Sequence, residues 1–175
     1  MEQYQNQKET RQGDIRSERE QSRLRGEATS RKIPRIIVDT REQKPWDFEL
    51  HETTRAKLDV GDYSLEGMEH LICIERKASL VDFAQSIISE RFERELRRMT
   101  HKYRYLILDF DFDDMIRYPD TLPGFKNKDK IKITGKFLMR RLFELQLKYK
   151  FVPLFVGAYG AESVLSLFRR ILNET

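Results

Sequence analysis

The segment Leu71-Ile72-Cys73-Ile74-Glu75-Arg76-Lys77 decides the fold, because an unbroken apolar run leads directly into three charged residues. Such a run is typical of a buried strand. Side-chain alternation along the strand predicts Glu75 and Lys77 on one face and Arg76 on the other. Asp62 lies earlier in the chain, in a glycine turn that can bring it beside the strand end. The sequence therefore predicts that two acids and a lysine meet at one divalent-metal site.

Length and composition limit what such a site can belong to. The chain has 175 residues, of which 39% are hydrophobic and 35% are charged, and this predicts one domain with a real core. No apolar run is long enough to span a bilayer, and the first residues do not look like a secretion signal. We therefore expect an intracellular, soluble protein with no membrane partner. The single cysteine, Cys73, excludes an intramolecular disulfide and a zinc site built on several thiolates.

Residues 1–32 differ in composition from the rest of the chain. They contain almost no large apolar side chains, so they cannot bury enough surface to offset the entropy of ordering. We interpret them as a disordered, charged tail, solvated or helping to hold nucleic acid, and we interpret residues 33–175 as the folded domain. The net charge of +4 permits contact with a polyanion without requiring it.

Strand and helix patterns alternate along residues 33–175. Strands are predicted at 36–38, 63–65, 71–74, 105–108 and 151–156, and helices at 79–88, 91–102, 134–149 and 161–172. Between the first two strands, Pro45 and Trp46 predict a compact loop, with Trp46 and Phe48 covering the edge of the core. Alternation of this kind favours an α/β fold with one mixed sheet.

Four short motifs together closely resemble the signature of the XPF-type structure-specific endonucleases, a branch of the restriction-enzyme-like PD-(D/E)XK nucleases. They are Asp39-x-Arg41-Glu42, Gly61-Asp62-Tyr63, Glu75-Arg76-Lys77 and Asp82, and their order and spacing match as well as their letters. The resemblance implies a restriction-endonuclease-like mixed central sheet flanked by helices. It also implies hydrolysis of phosphodiester bonds in flap, fork or junction DNA during repair or recombination.

The resemblance assigns roles to individual residues. Asp62 and Glu75 would bind Mg²⁺ or Mn²⁺ with the carbonyl of Arg76, and Asp39 would be a further ligand or a supporting acid. Lys77 would orient the attacking water or help to deprotonate it. Hard carboxylate oxygens suit Mg²⁺, and an ammonium stabilises charge that grows on the phosphate, so the chemistry is consistent. Arg76, together with Arg41 and Glu42, would form a network that supports these groups.

Other interpretations stay open for several residues. Asp62 alone fits a turn, Glu75 with Lys77 fits a surface ion pair, and Asp82 fits a partner in the N-cap of the helix that Ser79 begins. Arg91 is predicted to bind DNA phosphate. The basic loop is predicted either to hold the DNA backbone or to be a solvated loop; its lysines include Lys126, Lys128 and Lys130.

The family also suggests partners. A homodimer, or pairing with a related nuclease-fold subunit, is expected from the resemblance and from the apolar final helices. No tandem helix-hairpin-helix region follows residue 175 in this sequence, so we expect a separate DNA-binding protein, another surface or the tail to replace it. Two rival functions remain: a catalytically silent scaffold of the same fold that binds DNA or a partner, and an RNA nuclease.

Overall fold

The computed structural model describes residues 32–122 and 131–175. The predicted tail, apart from Lys32, lies outside the described residues. Lys126, Lys128 and Lys130 lie outside them as well, so their predicted contact with DNA stays a prediction.

A six-stranded mixed sheet forms the centre of the fold. Its strands lie in the order β2-β1-β3-β4-β5-β6. β1 pairs with β2 in parallel and with β3 antiparallel, β3 pairs with β4 antiparallel, and β4, β5 and β6 are parallel to one another. The strands are β1 Ile36–Asp39, β2 Thr53–Ala56, β3 Tyr63–Leu65, β4 Ile72–Lys77, β5 Tyr103–Leu108 and β6 Val152–Phe155.

Among the residues that the structure describes, five helices cover the two faces of the sheet. They are α1 Leu80–Ser86, α2 Glu90–Arg98, α3 Phe112–Ile116, α4 Gly135–Tyr149 and α5 Gly160–Glu174. The first four pack together in one apolar cluster that includes Phe83, Phe92 and Leu142, whereas α5 packs in a second cluster through Val164 and Phe168. The two faces of β4 therefore meet different helices, which separates Glu75 and Lys77 from Arg76.

Local signals explain where the helices begin. Ser79 accepts a hydrogen bond from the backbone N–H of Asp82 at 3.2 Å, and Thr134 accepts one from Phe137 at 3.3 Å. Each hydroxyl satisfies a backbone donor that has no partner within its helix. The predicted starts of α1 and α4 are thus confirmed. In the parts of the chain that the structure describes, no helix is long and apolar enough to cross a membrane.

The predicted mixed α/β sheet with flanking helices is confirmed, with two local corrections. The sequence showed no strand between β1 and β3, yet β2 pairs in parallel with β1 over Thr53–Ala56. This edge strand alternates between exposed and half-buried residues and has no apolar run to mark it. Ile88, predicted on the buried face of the first helix, is 53% exposed because α1 ends at Ser86.

Candidate active site

Gly61 sets the position of Asp62. Its φ of +84° lies in the left-handed region that favours glycine, and an added Cβ would lie 2.7 Å from the sulfur of Cys73 and 2.9 Å from the carbonyl oxygen of Ile74. The next backbone N–H, that of Asp62, donates to the same carbonyl at 2.7 Å. The turn at Gly61 therefore packs directly against β4 and holds Asp62 beside that strand.

Glu75 and Lys77 form a buried ion pair on one face of β4. The Lys77 ammonium donates to Glu75 Oε1 at 2.7 Å, and the two residues are only 7% and 6% exposed. The Lys77 nitrogen also lies 4.7 Å from the centre of the Phe92 ring. A surface ion pair, one of the interpretations left open by the sequence, does not describe residues buried to this degree.

The pKa values of all three groups are raised. Burial and, after it, the charge of Glu75 together raise the pKa of Asp62 to about 8. Burial also raises the pKa of Glu75 above its ordinary value, against the opposing charge of Lys77. Burial would lower the pKa of Lys77, but the charge and hydrogen bond of Glu75 outweigh it and leave that pKa raised. Two acids that interact in this way, with an ammonium beside them, are a common mark of a functional site.

These groups line one cavity at the carboxyl end of β4. Its volume is about 620 Å³, and its lining includes Asp62, Glu75, Lys77, Asp82, Arg91 and Glu95. Asp62 comes from the turn before β3, Glu75 and Lys77 from β4, and the others from α1 and α2. The structure therefore brings the predicted trio together beside open space that a substrate can enter.

Asp39 has a different environment from Asp62 and Glu75. It is fully buried, and its two carboxylate oxygens accept hydrogen bonds from the Arg41 guanidinium at 2.7 and 3.1 Å and from the Leu58 backbone N–H at 2.7 Å. Burial would raise the pKa of Asp39, but these donors lower it below its ordinary value. The geometry favours the supporting role for Asp39, since its oxygens already bind the loop that carries Arg41.

Arg76 lies on the opposite face of β4, as the alternation predicts. Its guanidinium forms an ion pair with Asp109 at 2.7 Å and lies 3.9 Å from Glu42. Its backbone N–H donates to Asp62 Oδ2 at 2.7 Å. Trp46 stacks against the same guanidinium, with 4.3 Å between Arg76 Cζ and the ring centre. The predicted network around Arg76 therefore also includes Asp109, which the sequence did not predict as its partner.

The ERCC4 domain family model matches residues 38–158, which is more than half of the chain. This chain belongs to the ERCC4 domain family. Among solved structures, it is similar to XPF from Aeropyrum pernix, with a TM-score of 0.59 and 22% identity over 80% of this chain and 65% of that one. It is also similar to the structure of that protein in complex with DNA, with a TM-score of 0.56 and 21% identity over 81% of this chain and 66% of the other. No curated protein matches the chain significantly.

These matches confirm the predicted XPF-type nuclease domain and its fold. The chain spans about two thirds of the length of the two solved structures. At 21–22% identity, the structural likeness carries the fold rather than the chemistry.

Two further predicted residues of this ERCC4 domain, Asp82 and Arg91, line the cavity. Asp82 lies in the first turn of α1, where its backbone N–H donates to the Ser79 hydroxyl at 3.2 Å, while its carboxylate accepts from the Ser86 hydroxyl at 3.3 Å. Asp82 also lines the cavity. The Arg91 side chain is 82% exposed and pairs with Glu95 at 3.0 Å, so it is available at the rim. Glu95 was missed by the sequence analysis, although it lies one helical turn after Arg91.

The residues present fit a hard divalent cation. Mg²⁺ keeps several waters and needs only one or two protein carboxylates. The Arg76 N–H donates to one oxygen of Asp62, and the Lys77 ammonium donates to one oxygen of Glu75. Each carboxylate has a second oxygen that could bind a cation. Within residues 32–122 and 131–175, no group of three or more histidine, cysteine or acidic side chains is arranged to hold a metal. A metal here would therefore rely on Asp62, Glu75, a backbone carbonyl and water.

Proposed function

We propose that this chain is a divalent-metal-dependent DNA endonuclease domain that hydrolyses phosphodiester bonds in flap, fork or junction DNA, in repair or recombination. The observation that carries the proposal is the burial of Glu75 and Lys77 beside Asp62 at one open cavity. Burying Glu75 and Lys77 beside a half-buried Asp62 is costly, so a purely structural role explains these groups poorly. Membership of the ERCC4 domain family supports the same reaction class.

Each side chain of the site would have its own role in hydrolysis. Asp62 and Glu75 would hold Mg²⁺ or Mn²⁺, with the carbonyl of Arg76 as a further ligand. When bound, the cation polarises the phosphate and lowers the pKa of water. Lys77 would stabilise negative charge that grows on the phosphate, because its ammonium is fixed in place by Glu75 and Phe92 and needs no reorganisation. Asp39 and Arg41 would hold the neighbouring loop rigid.

DNA would reach the cavity along α2. Arg91 lies at the rim with an exposed guanidinium, and Lys44 and Arg98 also line the cavity. These cations surround an acidic centre, which lets them bind phosphates on either side of the one that is cut. The structure of the Aeropyrum pernix XPF in complex with DNA is consistent with DNA as the substrate class.

We also propose that the domain pairs with a second copy or with a related nuclease-fold subunit. Phe143 and Leu147 lie one turn apart on α4 and are 46% and 70% exposed. Val152, on the edge strand β6, is 44% exposed. Apolar side chains on an edge strand and the helix before it favour association. Leu147→Glu should lower the molar mass measured by light scattering after size exclusion.

The deciding experiment compares wild type with Asp62→Asn on labelled duplex, single-stranded, flap and four-way-junction DNA, and on a matched RNA flap. Each substrate is incubated with Mg²⁺, Mn²⁺ or EDTA. Asp113→Asn is the matched control, because it makes the same change at an exposed carboxylate on α3. We expect metal-dependent cutting of branched DNA by wild type and the control, and DNA binding without cutting by Asp62→Asn.

Two results would contradict the proposal. Binding of DNA by wild type without cutting, in either metal, would favour the silent scaffold. Faster cutting of the RNA flap than of the DNA flap would favour an RNA nuclease.

A further inference from the structure

Three donors converge on a single oxygen of Asp109 behind the catalytic strand. Arg76 donates to Asp109 Oδ2 through Nε at 2.8 Å and through a terminal nitrogen at 2.7 Å, and Trp46 Nε1–H donates to the same oxygen at 3.1 Å. The other oxygen, Oδ1, is buried and has no hydrogen-bond partner among the described residues. Among the described residues, the Asp109 carboxylate therefore accepts its hydrogen bonds from Arg76 and Trp46.

Trp46 completes this arrangement by fixing the guanidinium from the side. Its ring stacks on Tyr63 at 4.7 Å with an interplanar angle of 22°, and Arg76 Cζ lies 4.3 Å from its centre. Gly160, the first residue of α5, packs so closely that an added Cβ would lie 2.5 Å from the indole. The indole therefore has contacts with Tyr63, Arg76, Asp109 and Gly160 that leave it little freedom to move.

The backbone of Arg76 connects this network to the cavity. The Arg76 side chain is only 10% exposed. The peptide N–H of the same residue donates to Asp62 Oδ2 at 2.7 Å. Without Asp109 the guanidinium keeps only the more distant Glu42, at 3.9 Å, as a counter-ion, and the loss of the closer partner favours its movement toward water. Such a movement would shift the N–H that orients Asp62.

We propose that Trp46 and Asp109 are positioning residues, which fix Arg76 so that its peptide N–H holds the carboxylate of Asp62 at the cavity. The inference rests on the proposed function in assigning Asp62 to the metal. It predicts that removing either contact weakens metal binding without touching a ligand. Partners that orient metal ligands commonly change affinity or activity by about 10- to 100-fold.

A structural ion pair that only stabilises the fold is the competing explanation. Glu93 offers a matched control, because it lies in a comparable ionic cluster between α2 and α4. Its carboxylate accepts from Arg141 at 2.8 Å and from Lys148 and Tyr149 at 2.7 Å each. Glu93→Gln should destabilise the fold while leaving Arg76 in place.

The test compares Asp109→Asn and Trp46→Phe with Glu93→Gln by amide hydrogen exchange in the absence of metal. The readout is the protection of the Arg76 amide relative to that of Ile72, which donates to Met68 at the other end of β4. We expect this ratio to fall by about fivefold or more in both network variants, because the local hydrogen bond opens more often. In Glu93→Gln the ratio should stay at the wild-type value. If Asp109→Asn does not fold, the exchange ratio of Trp46→Phe tests the proposal, because phenylalanine keeps an aromatic ring at that position.

Cleavage of flap DNA gives the second readout. In the network variants, the Mg²⁺ concentration for half-maximal cutting should rise about tenfold while the KM for DNA stays unchanged. An unchanged exchange ratio in Trp46→Phe, or an unchanged Mg²⁺ requirement in a network variant that folds, would overturn the positioning role. If wild type cuts nothing, the proposed function fails, but the exchange ratio still decides whether the network holds Arg76.

Discussion

Replacing Lys77 by methionine leaves the Glu75 carboxylate buried without its counter-ion. Methionine has a similar length and keeps contact with Phe92, so the change removes charge more than volume. Glu75 is 6% exposed and bonded to Lys77 at 2.7 Å. Breaking a buried pair by removing one partner costs about 3 to 5 kcal/mol. We expect Lys77→Met to lower the free energy of unfolding, measured by urea denaturation in EDTA, by that amount.

The double variant Glu75→Gln with Lys77→Met should recover most of this loss. It leaves no buried charge at the two positions, and neutral replacements of a whole pair are often close to neutral in stability. Neither variant should recover activity, because removal of a group that stabilises developing charge costs about 10²- to 10³-fold in rate. The double variant would then be nearly as stable as wild type but inactive, and a simple folding defect does not produce that combination.

Lys102→Met is the matched control for Lys77→Met. Lys102 also lies over an aromatic ring, with 4.8 Å between its nitrogen and the centre of Tyr103, but it is exposed at the far end of β5. Its replacement should leave the free energy of unfolding close to the wild-type value, because the side chain is exposed. The reasoning is refuted if Lys77→Met also lies within about 1 kcal/mol of wild type, or if the double variant is less stable than the single one.

Three further outcomes follow from other parts of the structure. Hydrogen bonds from Lys148 and Tyr149 lower the pKa of Glu93 to about 2, so its contribution to stability is present above about pH 4.3, the ordinary value, and is lost as the pH falls toward 2. Urea denaturation across that range should show a steeper loss for wild type than for Glu93→Gln, and equal slopes would contradict the assignment. Gly160→Ala forces a methyl group against Trp46 and should cost about 1 to 3 kcal/mol. It should also shift the emission of this sole tryptophan, and an unchanged spectrum would argue against the close packing. Burial raises the pKa of the Cys73 thiol to about 12, so a thiol reagent should label it only after denaturation, and rapid labelling of native protein would be inconsistent with that burial.

Much of the site was predictable because its main signals are local. The Gly61-Asp62 corner depends on a φ that glycine adopts freely, and the faces of Glu75, Arg76 and Lys77 depend only on strand alternation. The N-caps at Ser79 and Thr134 are also local, since each hydroxyl bonds a backbone N–H three residues later.

The missed features depend on which strands become neighbours. β2 has no apolar run of its own and becomes a strand because β1 offers it a parallel partner. Asp109 follows a strand like many capping acids, and only the parallel pairing of β4 with β5 brings it to Arg76. Trp46 meets both of them only after the loop between β1 and β2 folds back over Tyr63.

The sequence by itself thus determined the mixed α/β fold, the trio of Asp62, Glu75 and Lys77, and the side of the strand on which each charge lies. These follow from chain geometry over a few residues. Tertiary structure alone decided that Trp46 and Asp109 contact Arg76. The Arg76–Asp109 and Trp46–Asp109 contacts join positions 33 and 63 residues apart, across a sheet whose strand order is set by packing. Tertiary structure also decided that Asp39 is enclosed by Arg41 and Leu58 while Asp62 and Glu75 line the cavity.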